Sequence, residues 1–182
     1  MVKGTIWQDL YRYGGLSNLS GLAKAMFIPG FKFTYFYRRA SCFKRRTIPG
    51  IFYRIILRHY SYKFGIQIPA GTDIGPGLYI GHFGNIVISS AAKIGRNCNI
   101  AQGVTIGKVS GGRLMGFPVI GNNVWIGTNS VIVGAITIGS NVLITPNSFV
   151  NFNVPDNSVV ISHRLRIVES DDPTKDYINF RT

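Results

Sequence analysis

The chain has 182 residues, enough for one well-buried core and a small second lobe. Its formal net charge is +13, from 20 Lys and Arg against 7 Asp and Glu, with 46% hydrophobic residues. No run of about 18 apolar residues occurs, which excludes a helical membrane span, and the opening M-V-K-G-T-I-W-Q-D-L lacks the apolar segment of a secretory signal.

The charge is unevenly placed. Up to Phe64, twelve Lys and Arg stand against Asp9 alone, together with fifteen of the 23 aromatic residues. Residues 1–26 predict one or two short helices, with Trp7 and Asp9 in the first and S-G-L-A-K-A-M-F closing the second. Pro29-Gly30 and Pro49-Gly50 read as breaks. The segment I-F-Y-R-I-I-L-R-H-Y-S-Y-K-F at 51–64 has helical spacing, apolar on most sides with arginines between. Residues 1–66 are therefore expected to be a basic, aromatic-rich helical lobe that caps the region after it. Two readings suit its surface: solvated arginines, or peripheral contact with anionic headgroups at an inner membrane face. Nucleic acid fits the composition, but no recognition motif accompanies it.

From Ile68 an apolar residue returns every six positions. The series runs Ile68, Ile74, Ile80, then Ile88, Ile94, Ile100, Ile106, resumes at Ile120, Ile126, Ile132, Ile138, Ile144 and closes at Val150. A period of six fits neither a helix nor a simple strand and marks an internal repeat. Six residues make one flat face and one turn, and three such units make a triangular coil of 18 residues. Coils stack at the ordinary interstrand spacing of about 4.8 Å. The position four residues on is apolar or small, as at Leu78, Val104 and Val142. Cys98 falls there and reads as a core residue. With Cys42 it makes no disulfide framework, so a reducing cytoplasmic setting is expected. Residues 67–155 thus predict a mostly β fold, a parallel β-helix with an N-terminal helical cap lobe.

The period breaks twice. Two extra residues lie between Ile80 and Ile88, where His82 sits, and eight lie between Ile106 and Ile120, giving a loop insertion at 107–119. Insertions in repeat proteins often carry binding function. After Pro155, residues 156–182 leave the prism as a C-terminal tail.

The run I-G-x-x-V-W-I-G from Ile120 to Gly127, with its flanking hexads, resembles the hexapeptide-repeat acyltransferases over about half the chain. The resemblance implies a left-handed parallel β-helix, a homotrimer and acetyl-CoA as co-substrate. The segment G-L-Y-I-G-H-F-G-N-I-V-I resembles the catalytic histidine motif of serine acetyltransferases and of capsule and colanic acid acetyltransferases. Acetyl transfer to a hydroxyl needs a base, an oxyanion donor and alignment of two substrates. His82, the one histidine of the repeat region, is the candidate general base. His59 and His163 are assigned no chemistry. Metal catalysis of the carbonic anhydrase type needs three histidines at a subunit interface, and of the three here only His82 is on the prism, so no metal is expected. The resemblance places the cofactor along the coil edge at Gly107, Gly127, Thr128, Thr145 and Pro146, with Lys108, Arg164 and Arg166 as candidates for its phosphates. Arg166 matches the arginine of the family's G-x-P-A-R-I-V segment. Ser162, Arg164 and Leu165 depart from it.

Acceptor residues also depart from serine acetyltransferases. The family's aspartate fifteen residues before the histidine falls on Gln67, and its Arg-His-Pro falls on Gly116-Phe117-Pro118. A zwitterion then lacks both charged partners at these positions, whereas Gln67, Phe83, Asn85 and Phe117 suit a sugar. The leading expectation is an O-acetyltransferase acting on a sugar or oligosaccharide, free or lipid-linked, in capsule, exopolysaccharide or O-antigen assembly. The alternatives are a serine O-acetyltransferase with an altered acceptor site, and a non-enzymatic scaffold.

Overall fold

Four helices precede thirteen short strands in the computed structural model, which describes residues 2–162. The helices are α1 (Val2–Tyr11), α2 (Leu19–Ala25), α3 (Pro29–Cys42) and α4 (Ile48–Phe64). Asn18 caps α2 by accepting from the Gly21 amide at 2.7 Å, and Thr47 caps α4 by accepting from the Gly50 amide at 3.3 Å. The Pro-Gly pairs open helices instead of breaking the chain. Pro29 and Pro49 sit in the first turns of α3 and α4, where a missing N–H leaves no helical bond unmade. Helix α4 ends at Gly65, whose φ of 63° is left-handed.

The strands form three parallel sheets, one per prism face. The first holds β1 (Ile66–Gln67), β3 (Ile86–Ile88), β6 (Thr105–Gly107), β9 (Val131–Val133) and β12 (Phe149–Val150). The second holds β2 (Asp73–Ile74), β4 (Lys93–Ile94), β7 (Val119–Ile120) and β10 (Thr137–Ile138). The third holds β5 (Asn99–Ile100), β8 (Val124–Ile126), β11 (Val142–Ile144) and β13 (Val159–Val160). The register reproduces the repeat arithmetic. Val87 pairs with Thr105 and Val131 with Phe149, one 18-residue coil apart, while Gln67 to Val87 adds the two-residue insertion and Thr105 to Val131 the eight-residue one. Leu143 pairs with Val159, so the last coil is two residues short.

All thirteen positions of the six-residue series are buried, as are Leu78, Cys98, Val104 and Val142. At the corners Asn97, Asn123, Asn141 and Asn157 take left-handed φ between 54° and 56°, and their side chains bridge coils: Asn97 donates to Asn123 at 3.1 Å, Asn141 to Asn157 at 2.8 Å. The expectation of a mostly β chain needs correction. Helices occupy more of the described residues than strands, because each coil commits only two or three residues per face to pairing and the rest to corners.

The helices close one end of the prism. Phe33, Tyr37, Leu57 and Phe64 share a hydrophobic cluster with Ile66, Ile68 and Ile74 of the first coil. The buried carboxylate of Asp9 accepts from Arg38 Nε at 2.8 Å and from the amides of Gly77 and Leu78 at 2.8 and 2.9 Å. Arg38 in turn donates to the carbonyls of Ile74 and Gly75 at 2.6 and 2.7 Å. Burial pushes the Asp9 carboxyl up, and the Arg38 guanidinium opposes that shift.

Candidate active site

His82 stands on the exposed corner between Tyr79 and β3, inside the two-residue insertion. Both lobes fix its loop. The Tyr13 hydroxyl accepts from Ile80 N–H at 3.1 Å and donates to Ile80 C=O at 3.2 Å. Burial pushes the Tyr13 hydroxyl well above the ordinary tyrosine range. The Tyr13 ring packs on Tyr79 with centroids 4.6 Å apart. Gly30 presses against the Ile80 carbonyl so closely that a Cβ there would overlap it. On the far side of the loop, the Phe64 ring lies 5.6 Å from that of Phe83.

The His82 side chain opens onto a cavity of about 370 Å3 walled by Tyr79, Asn99, Gln102, Trp125 and Thr128. Three of these continue a column. Tyr79, Asn99, Trp125 and Leu143 are register partners across successive coils, so residues three further on stack in turn: His82, Gln102, Thr128 and Pro146. The Gln102 Oε1 is buried and has no hydrogen-bond partner among the described residues. Asn99 is held by Arg12, which donates to its Oδ1 at 2.6 Å and to the Gly77 carbonyl at 3.0 Å.

The structure brings His82, Thr128 and Pro146 onto one corner. Gly127 is buried beside them, its Cα against the Thr145–Pro146 backbone. The Thr145 hydroxyl donates to Val160 C=O at 2.9 Å and accepts from Ser162 N–H at 3.1 Å, which anchors the chain as it leaves the prism. Arg164, Arg166 and His163 lie outside the described residues. The remaining candidates sit elsewhere on the same chain. Gly107 ends β6, and residues 108–118 form a small hairpin between the first and second faces, closed by Val109 N–H to Gly116 O at 3.1 Å and Gly116 N–H to Val109 O at 3.0 Å. Lys108 lies over the Phe117 ring there, 5.9 Å from its centroid. Asn85 is exposed with a left-handed φ of 52°, and Phe83 is half exposed. Gln67 lines a different cavity with Arg54 and Arg58 of α4. No group of three or more His, Cys, Asp or Glu that could hold a metal occurs among the described residues.

Arg12, Tyr13, Asn99, Gln102 and Trp125 were not expected. Gln102 was within reach of arithmetic, since it lies one coil and the two-residue insertion beyond His82, and Thr128, already a candidate, lies one coil and the eight-residue insertion beyond Gln102. Arg12 and Tyr13 carry no such signal.

Residues 117–151 match the bacterial transferase hexapeptide family of six repeats. The serine acetyltransferase of Staphylococcus xylosus is 39% identical over 118 residues, covering 65% of this chain and 55% of that protein. That of Helicobacter pylori is 30% identical over 143 residues, covering 79% of this chain and 83% of that protein. Among solved structures, serine acetyltransferase isoform 3 of Entamoeba histolytica, in complex with cysteine, superposes with a TM-score of 0.74 at 30% identity, covering 93% of this chain and 62% of that one. The Neisseria gonorrhoeae enzyme in complex with serine does so with a TM-score of 0.72 at 28% identity, covering 89% and 67%. The chain spans little more than half the length of the Staphylococcus relative. These relatives overturn the polysaccharide expectation: they are named for serine, in bacteria and in Entamoeba alike, and Gln67 and Phe117 misled because they report only what is missing at two positions. Relatives that are transferases likewise leave the non-enzymatic scaffold without support. The chain belongs to the serine acetyltransferase family of hexapeptide-repeat transferases.

Proposed function

We propose that this chain is a serine O-acetyltransferase that moves the acetyl group of acetyl-CoA to the serine hydroxyl, with His82 as general base. The observation that carries the reading is the corner column. His82 shares one cavity with Gln102 and Thr128, and Pro146 continues the column along the edge where the thioester arm would lie. His82 takes the hydroxyl proton as the serine oxygen attacks the thioester carbonyl, and the departing CoA thiolate recovers a proton from the imidazolium. A backbone N–H supports the tetrahedral oxyanion.

An amino acid also needs a cation for its carboxylate. We assign that role to Arg12, which donates to Asn99 in the wall of the His82 cavity and lines the adjoining cavity that shares Asn99 and Trp125 with it. Gly107, Lys108, Gly127 and Thr145 remain candidates for cofactor contacts, with Arg164 and Arg166 beyond the described chain. We infer a left-handed coil and a homotrimer on the same footing. Trp125, Leu143 and Val159 form an exposed apolar row in register on one face, and the Lys108–Phe117 hairpin leaves a different corner from His82. A neighbouring copy is needed to bring the two together. A cytoplasmic location follows from the use of acetyl-CoA.

Thiol release from acetyl-CoA, followed with and without L-serine, tests the reading. Release that requires serine supports it, and release indifferent to serine overturns it. Arg12→Gln is expected to raise KM for serine about tenfold or more while leaving that for acetyl-CoA near its wild-type value.

A further inference from the structure

We propose that the outer face of α4, with the arginine cavity beside it, docks on a bilayer that carries anionic phospholipid. Helix α4 has two apolar faces. Leu57 and Phe64 are buried against the first coil, while Ile48, Ile51, Phe52, Ile55 and Tyr62 are 87%, 50%, 57%, 64% and 73% exposed. Steps of three and four residues place these five on one stripe, opposite Leu57. Exposed His59 interrupts the stripe between Ile55 and Tyr62, yet five large exposed apolar side chains on one helix side mark a contact surface rather than scattered surface residues.

The chemistry beside the stripe selects the occupant. Arg54, Arg58 and Ser61 run along one flank of the helix and, with Arg45 and Gln67, line a cavity of about 610 Å3. Arg54 Nε is buried and has no hydrogen-bond partner among the described residues. A buried guanidinium N–H without an acceptor is unfavourable, and its planar fork matches phosphate. Among the described residues no acidic side chain lines the cavity, and the lobe's single acid, Asp9, is engaged by Arg38. Among the described residues nothing supplies the missing acceptor, and an anionic phosphate fits the place. Arg58 lies over Tyr62, 5.6 Å from the ring centroid, at the boundary between stripe and cavity. Apolar side chains at the acyl boundary with arginines at the phosphates is the arrangement of an interfacial helix. A second copy of the same face would bring two basic rims together, which charge repulsion opposes. No helix among the described residues is long and apolar enough to cross a membrane, so the contact is peripheral.

The test is co-sedimentation of the full chain with vesicles of phosphatidylcholine alone and of phosphatidylcholine mixed with phosphatidylglycerol. The expected result is binding to the mixed vesicles only. Arg54→Gln and Arg58→Gln should each weaken it about fivefold, and Ile51→Ser with Ile55→Ser should abolish it with helix content unchanged by circular dichroism. At matched ionic strength, inorganic phosphate should displace the protein more effectively than chloride. Equal binding to neutral vesicles, no binding to either, or equal displacement by both salts overturns the proposal. So does a fall in solution mass when Ile51 and Ile55 are replaced, because the stripe would then be covered by a second copy. Serine-dependent thiol release by the same variants, measured without vesicles, is expected to be unchanged, which separates this surface from the acetyl-transfer reading.

Discussion

The Tyr13 hydroxyl and the Ile80 peptide satisfy each other in both directions, at 3.1 and 3.2 Å, two residues before His82. Sixty-seven positions of sequence separate them, so the helical lobe sets the backbone that presents the histidine. Tyr13→Phe keeps the ring packing and leaves the Ile80 N–H and C=O buried without a partner. The expected loss of stability is about 1–3 kcal/mol. Turnover should fall while KM for acetyl-CoA changes little, since the Tyr13 side chain meets the histidine loop and α3, including Phe31, and none of the cofactor candidates. Thermal denaturation and steady-state kinetics on the same preparation check both parts. Loss of stability with unchanged turnover would show that Tyr13 serves folding alone.

The Asp9–Arg38 pair fixes α1 and α3 to the coil turn at Gly77 and Leu78. Both side chains are buried, at 1% and 8% exposure. Arg38→Met would leave the Asp9 carboxylate facing two amides and no cation, with a destabilisation of about 3–5 kcal/mol. The urea midpoint measures it. A change within error of wild type would mean that the lobe is held by its apolar cluster and not by the pair.

Alkaline stability follows from Tyr37, whose hydroxyl donates to the Thr72 carbonyl and is pushed by burial from 10.0 to about 12. Between those values the folded chain holds a proton that the unfolded chain releases. Stability is therefore intact below pH 10 and falls as pH rises toward 12, by about 1.4 kcal/mol per pH unit for this group. Tyr13 shifts in the same direction and adds to the decline. Tyr37→Phe should be less stable than wild type at neutral pH by about 1 kcal/mol, with a shallower fall above pH 10. Identical slopes in urea titrations of the two proteins would contradict this assignment.

The β-helix was legible because its core is one-dimensional. Ile68 through Val150 recur at a fixed interval, and both insertions appear in the strand register as the spacing required. The His82–Gln102–Thr128 column follows from the same count. The lobe obeys no such period. Arg12 reaches Asn99 across 87 positions and Asp9 reaches Gly77 across 68, contacts that depend on how α1 lies against the first coil. Pro29 and Pro49 read as breaks although they start helices, since a proline stops a helix only when its neighbours precede it. The acceptor was misread for a related reason. Gln67 and Phe117 show that two charges are missing from their usual positions, and that comparison is blind to a cation brought in from elsewhere, the role proposed for Arg12 at the end of α1.

The most direct test of the account is single-preparation kinetics of His82→Ala with acetyl-CoA and L-serine, beside calorimetric binding of acetyl-CoA. The account predicts a fall in turnover of about 10²–10⁴-fold with cofactor affinity within a small factor of wild type, because His82 meets the acceptor proton and not the CoA arm. Wild-type turnover in that variant would contradict the assignment of His82 as the base and, with it, the reading of the corner column as the active site.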